Sequence, residues 1–190
     1  WALGSSTTLA NVYNITNVIP NVLYDLLLGG VLGAVLIPVL LQAARDEDGG
    51  LAFTRSLLTL STLVLSTLAL LSIVAAPTIA SLYGFHGDER ATAILFLRYF
   101  LPQILFYGLS ALSGAILNVR GSFTAPMIAP VATNAVTIVA YLIFIALPGG
   151  TDASHLSTSQ PVPLGLGPTL GIASMFTAVF GVVLGLCALP

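Results

Sequence analysis

From Ser56 to Gly87 the chain carries no Asp, Glu, Lys or Arg. A run of that length is more than enough to cross the roughly 30 Å hydrocarbon core of a bilayer as a helix, which takes about 20 residues. Few folds accommodate such a run in water. The rest of the sequence repeats the pattern: charged residues make up 6% of the 190 and there is no lysine, against roughly a quarter in ordinary soluble domains. Twelve charged side chains cannot keep a soluble surface of this size dispersed, whereas lipid can cover the sides of a membrane protein. The net charge of −2 lacks the basic footprint of a nucleic-acid binder. A single Cys187 rules out an internal disulfide and a cysteine-only zinc site. The chain opens on Trp1 with no basic segment ahead of its first apolar residues, and closes in the apolar run GVVLGLCALP. It reads as an internal or truncated piece of a polytopic membrane protein.

Charges and turn formers divide the sequence into five apolar stretches, at about 8–44, 53–82, 91–119, 124–147 and 165–189. They predict an all-α, polytopic transmembrane helix bundle forming a single domain over 1–190. Short polar loops such as RDEDGG (45–50) and YGFHGDER (83–90) join them, so neighbouring helices are expected to run antiparallel. The first stretch would measure about 55 Å as one straight helix, too long for a single crossing. Pro20, Gly29 and Gly30 are its expected break points, since kinks arise at such residues. Arg45, Arg55 and Arg120 fall in loops on one side and only Arg90 on the other. The positive-inside rule assigns the first side to the cytoplasm.

Within this oily background a few polar residues are grouped. Asn14, Asn21 and Asp25 fall within about 40° of one another on a helical wheel, and Asn11 widens the stripe to about 80°. A carboxyl at membrane depth normally faces a bundle interior or a water-filled path. The stripe is therefore expected either to line a hydrophilic cavity or to bind helices together. Gln103, Tyr107, Ser110 and Gly114 share one face of the third stretch, within about 60°, and Arg98 lies off it. Arg98 either snorkels to lipid headgroups or contacts an anionic lipid or substrate. Thr59, Thr62 and Ser66 are expected to bond back to their own helix. Pairs of small residues at helix-packing spacing occur at Gly29/Gly33, Ser110/Gly114, Gly167/Gly171 and Gly181/Gly185. His86 and His155 stand alone in loops, and no H-x-x-x-H, G-x-S-x-G or P-loop is present. No catalytic centre, metal site or cofactor is expected. Broken helices with a polar stripe at depth are a device of transporters.

Two blocks carry a resemblance. ANVYNITNVIPNVLYDLLLGGVLGAVLIPVL looks like the A-D-A-F, I-P-N-L-L, glycine-turn and F-V-P-V/I sequence of the MviN/MurJ family of lipid II flippases. LPQILFYGLSALSGAILNVRGSFTAPMIAPVATNAVTI resembles a second block of that family, with Asn118, Phe123, Pro126, Pro130 and Asn134 at its marked positions. YDLLLGG reads closest to actinobacterial members, and the resemblance covers roughly residues 4–145.

It implies about five spans of a two-lobed transporter of some fourteen helices, in the bacterial cytoplasmic membrane, working by alternating access. The implied cargo is an undecaprenyl-pyrophosphate-linked peptidoglycan precursor. The implied partners are membrane lipids, the second lobe of the same chain and the cell-wall synthesis machinery. Cavity candidates on this reading are Asn11, Asn14, Asn21, Asp25, Gln103, Asn118 and Asn134. Two departures stand out: Asn11 replaces the acidic position of A-D-A-F, and Tyr24 and Asp25 replace a basic pair found in some members. A carboxylate repels pyrophosphate, so Asp25 is expected to pair with an arginine of the family's first helix, most of which this sequence is expected to lack, or to take part in coupling-ion binding. Two other functions stay open: a drug or oligosaccharide exporter of the same superfamily, and a non-transporting membrane scaffold derived from a flippase.

Overall fold

A computed structural model describes residues 8–26, 35–146 and 161–188. All regular structure among them is helical: α1 (Thr8–Leu26), α2 (Ile37–Ala43), α3 (Leu51–Leu82), α4 (Gly87–Phe100), α5 (Gln103–Val119), α6 (Thr124–Ala146) and α7 (Pro161–Ala188). Four segments among the described residues are long and apolar enough to cross a membrane: Leu51–Leu82, Glu89–Val119, Thr124–Ala146 and Pro163–Gly185. The first expected stretch is not among these four. Its described residues hold α1, whose asparagines dilute its apolar character, and the short α2. α1 continues through Pro20, which lies inside it and is buried, so this proline does not end the helix. Gly29 and Gly30 lie outside the described residues.

The third expected stretch is divided at Leu101–Pro102. Pro102 has no N–H to continue the ladder. The chain tightens there through bonds from Ile104 N–H to Leu101 O (3.1 Å) and from Leu105 N–H to Pro102 O (3.2 Å), the shorter repeat of a 3₁₀ turn. This α4–α5 span is the central pole of the bundle. It is 72% buried over its most apolar window, whereas α3 is 11% buried over its own.

Among the described residues two core clusters hold the bundle, one towards each end. The first joins Leu9, Val12 and Tyr13 of α1 to Ala76 and Ala80 of α3, Phe96 and Phe100 of α4, Phe144 of α6 and Leu164 of α7. Tyr13 meets Phe96 and Phe100 edge-on at 5.7 and 5.2 Å between ring centroids. Such pairs contribute about 0.5–1.5 kcal/mol each beyond the area they bury. The second cluster joins Leu40 of α2, Leu58 of α3, Leu112 and Ile116 of α5, Ala129 of α6 and Ile172, Met175 and Val179 of α7.

The α6–α7 contact depends on small residues. A Cβ on Gly167 would lie 2.3 Å from Ala140 Cβ, and one on Gly171 would lie 2.9 Å from the Thr133 carbonyl oxygen. Thr133 Oγ1 donates to the Gly171 carbonyl at 3.0 Å across the same contact. The equally spaced Gly181 and Gly185 face open space. Only the first of these two pairs brings helices together.

At the end assigned to the cytoplasm, the loop after α2 makes a tight turn with Gly49 and Gly50 at φ 61° and 74°. Asp48 then caps α3, accepting from Gly50 N–H (2.9 Å) and Ala52 N–H (2.7 Å). Those two amides hold its carboxyl below the usual carboxylate range, and the Arg120 charge adds to the effect. Gly49, Gly50, Val119 and Arg120 line one small cleft, so the two arginine-bearing loops lie side by side.

Candidate functional site

The polar stripe of α1 is on the outside of the described bundle. Leu9, Val12, Tyr13 and Thr16 form the buried face, and Thr16 satisfies its hydroxyl on the Val12 carbonyl at 2.7 Å. On the opposite face Asn11, Asn14 and Asp25 are exposed and Asn21 is half-buried, with Val18 and Val22 exposed between them. The 100° step of the helix explains the division, since the polar positions and the packing positions occupy different sides of one wheel.

Asn21 is where the stripe meets the bundle. Tyr107 Oη of α5 donates to Asn21 Oδ1 at 2.9 Å. With its oxygen engaged, the amide has its Nδ2 donors left for other partners. Nearer the other end of α1, Tyr13 Oη and Tyr141 Oη are 2.7 Å apart, linking α1 to α6. Neither α1 nor α5 contains a Lys or Arg.

The other expected residues are dispersed. Gln103 is fully buried. Its Nε2 donates to Thr169 Oγ1 of α7 at 2.9 Å, and Thr169 Oγ1 donates to the Tyr99 carbonyl at 2.7 Å. Gln103 thus braces the Leu101–Pro102 break from the interior, away from the stripe, and its Oε1 has no partner among the described residues. Asn118 is exposed at the end of α5, about 16 Å along the axis from Tyr107. Asn134 is exposed on α6. Arg98 is exposed on α4, two residues from both Phe96 and Phe100, which pack on Tyr13. Two residues turn a helix by about 200°, so Arg98 projects from the face of α4 opposite α1.

Thr59 and Thr62 bond to the carbonyls of Arg55 (2.9 Å) and Leu58 (2.7 Å) in their own helix, which leaves the α3 surface apolar. No cluster of His, Cys, Asp and Glu suited to a metal ion occurs among the described residues. Three links escaped the sequence reading, among them the Tyr13–Tyr141 contact. The Tyr107–Asn21 bond had a signal, since Tyr107 lies on the polar face of α5. The Gln103–Thr169 bond, between residues 66 apart in sequence, had none.

Comparison with known proteins finds relatives of this chain. The family profile described as "Lipid II flippase MurJ" matches residues 2–189, extending past the two resembling blocks to the end of α7. The lipid II flippase MurJ of Burkholderia cenocepacia is 32% identical over 135 residues, covering 67% of this chain and 26% of that protein. The probable lipid II flippase MurJ of Haemophilus influenzae is 31% identical over 155 residues, covering 72% of this chain and 29% of that protein. The chain spans between a quarter and a third of the length of these curated relatives, and it belongs to the MurJ lipid II flippase family.

Proposed function

We propose that this chain forms most of the first lobe of a transporter that moves a lipid-linked peptidoglycan precursor from the inner to the outer leaflet of the bacterial cytoplasmic membrane. It acts by alternating access against a second lobe and catalyses no covalent chemistry. The cargo is lipid II, an undecaprenyl-pyrophosphate-linked precursor, and the cell-wall synthesis machinery consumes what is delivered. One observation carries the reading: α1 packs through its apolar side and turns Asn11, Asn14 and Asp25 away from the bundle. Amides and a carboxyl on the outside of an otherwise oily bundle would be costly against lipid and are stable against water. In this reading α1 lines the passage, while the α3 surface of leucine and valine meets the membrane.

Depletion of the full-length protein tests the function. Accumulation of lipid II on the inner leaflet followed by lysis is the expected result. Altered drug tolerance with an intact wall and no lipid II build-up would instead identify an exporter. Loss of partner proteins without lipid build-up would identify a scaffold.

A further inference from the structure

The stripe on α1 has an electrical character of its own. It presents three amides and one carboxyl, and no cation lies anywhere along α1 or along α5, which holds it. Such a surface is a poor match for pyrophosphate, because Asp25 repels an anion and no arginine or lysine on either helix offsets it. It is a good match for a neutral group rich in hydroxyls and acetamides. Each of these groups both donates and accepts hydrogen bonds, as an asparagine does, and a carboxyl accepts from hydroxyls. Val18 and Val22 are 50% and 56% exposed between the polar positions, offering apolar contact of the kind the C–H faces of a sugar ring can use. Tyr107 supplies the fixed element: by engaging Asn21 Oδ1 at 2.9 Å, it settles which end of that amide is held by the bundle and which is presented outward.

We propose that the α1 stripe is the surface that reads the neutral sugar portion of the cargo, and that the pyrophosphate is held elsewhere in the full-length protein. Asn14, Asn21 and Asp25 make the contacts. Tyr107 is a positioning residue that acts through Asn21. The proposal rests on the lipid-linked cargo assigned above.

The test uses the full-length protein in nanodiscs and two lipids: undecaprenyl pyrophosphate, and the same lipid bearing the disaccharide–pentapeptide. The wild type is expected to bind the sugar-bearing lipid about tenfold more tightly, the margin that one or two net hydrogen bonds supply. Asn21→Leu and Asp25→Leu should remove most of that preference while leaving the bare pyrophosphate lipid unchanged. Tyr107→Phe should lower it by a smaller factor and should have little further effect in an Asn21→Leu background. Asn14→Leu, at an exposed position outside the Tyr107 contact, gives a second reading if Asn21→Leu fails to fold. Variants that weaken both lipids alike, or that leave the preference intact, would overturn the proposal. A wild type that binds both lipids equally would also overturn it while leaving the cargo assignment standing. A wild type that binds neither would remove the cargo assignment itself.

Discussion

α1 and α3 both turn a broad face away from the bundle, and the two faces have opposite chemistry. On α3 that face is Leu60, Leu63, Val64, Leu71 and Val74, all exposed, and threonines among these residues turn their hydroxyls back onto their own helix. On α1 it is Asn11, Asn14 and Asp25, with valines between them. In a soluble protein the first surface would drive aggregation, and against lipid the second would be costly. On the proposed reading the contrast separates two solvents around one bundle, hydrocarbon beside α3 and water beside α1.

A charge placed on each face should break the symmetry between them most visibly. Leu68→Lys, near the middle of α3, is expected to cost about 3 kcal/mol of insertion free energy and to reduce the membrane-integrated yield of the full-length protein severely. Val18→Lys on α1 should leave the yield close to wild type. Equal losses at the two positions would mean that both faces meet lipid.

The closed interfaces provide the next contrast. Gly171→Ala forces a methyl against the Thr133 carbonyl, and Gly167→Ala forces one against Ala140. Each should lower thermal stability by about 1–3 kcal/mol, as overpacking does. Gly181→Ala meets nothing within 4 Å and should be neutral or slightly stabilising, since alanine favours the helix over glycine. Thr169→Val removes the donor to the Tyr99 carbonyl and the acceptor for Gln103. A cost of about 1–3 kcal/mol is expected in the same melting experiment.

Much of this division was legible in the residues. The apolar stretches outlined the long helices because hydrocarbon demands about 20 such residues per crossing, and the wheel placed the α1 polar positions on one side. The wheel also separated Arg98 from the polar face of its own span. It could not separate Gln103, which shares a face with Tyr107 yet is enclosed because Thr169 arrives from a distant helix to receive it. Pro20 and Pro102 look alike in sequence. One is carried inside a continuous helix and the other coincides with a break. At Pro102 the Tyr99 carbonyl finds a hydroxyl from α7, a partner that local sequence does not reveal.

The smallest expected effect lies outside the membrane. The Asp48 carboxyl is held below its ordinary value by two amides at the start of α3. Because the folded value is the lower one, its contribution is present above the unfolded carboxyl's titration and is lost as pH falls through the folded value. Wild type should melt slightly above Asp48→Ala at pH 6 to 7. The gap should close in acid, below the usual carboxylate range, as the carboxyl takes up a proton.

The claim that water and hydrocarbon bathe different faces is tested most directly by thiol labelling. Single cysteines at Asn11, Asn14 and Asp25, and at Leu63, Leu68 and Leu71, are introduced into the full-length protein with Cys187 replaced. A hydrophilic maleimide reacts with a thiolate, which needs water around it. Rapid labelling along α1 with none along α3 is the predicted result. Silence at all three α1 positions in every transport state, with quenching there by lipid-borne probes, would contradict it.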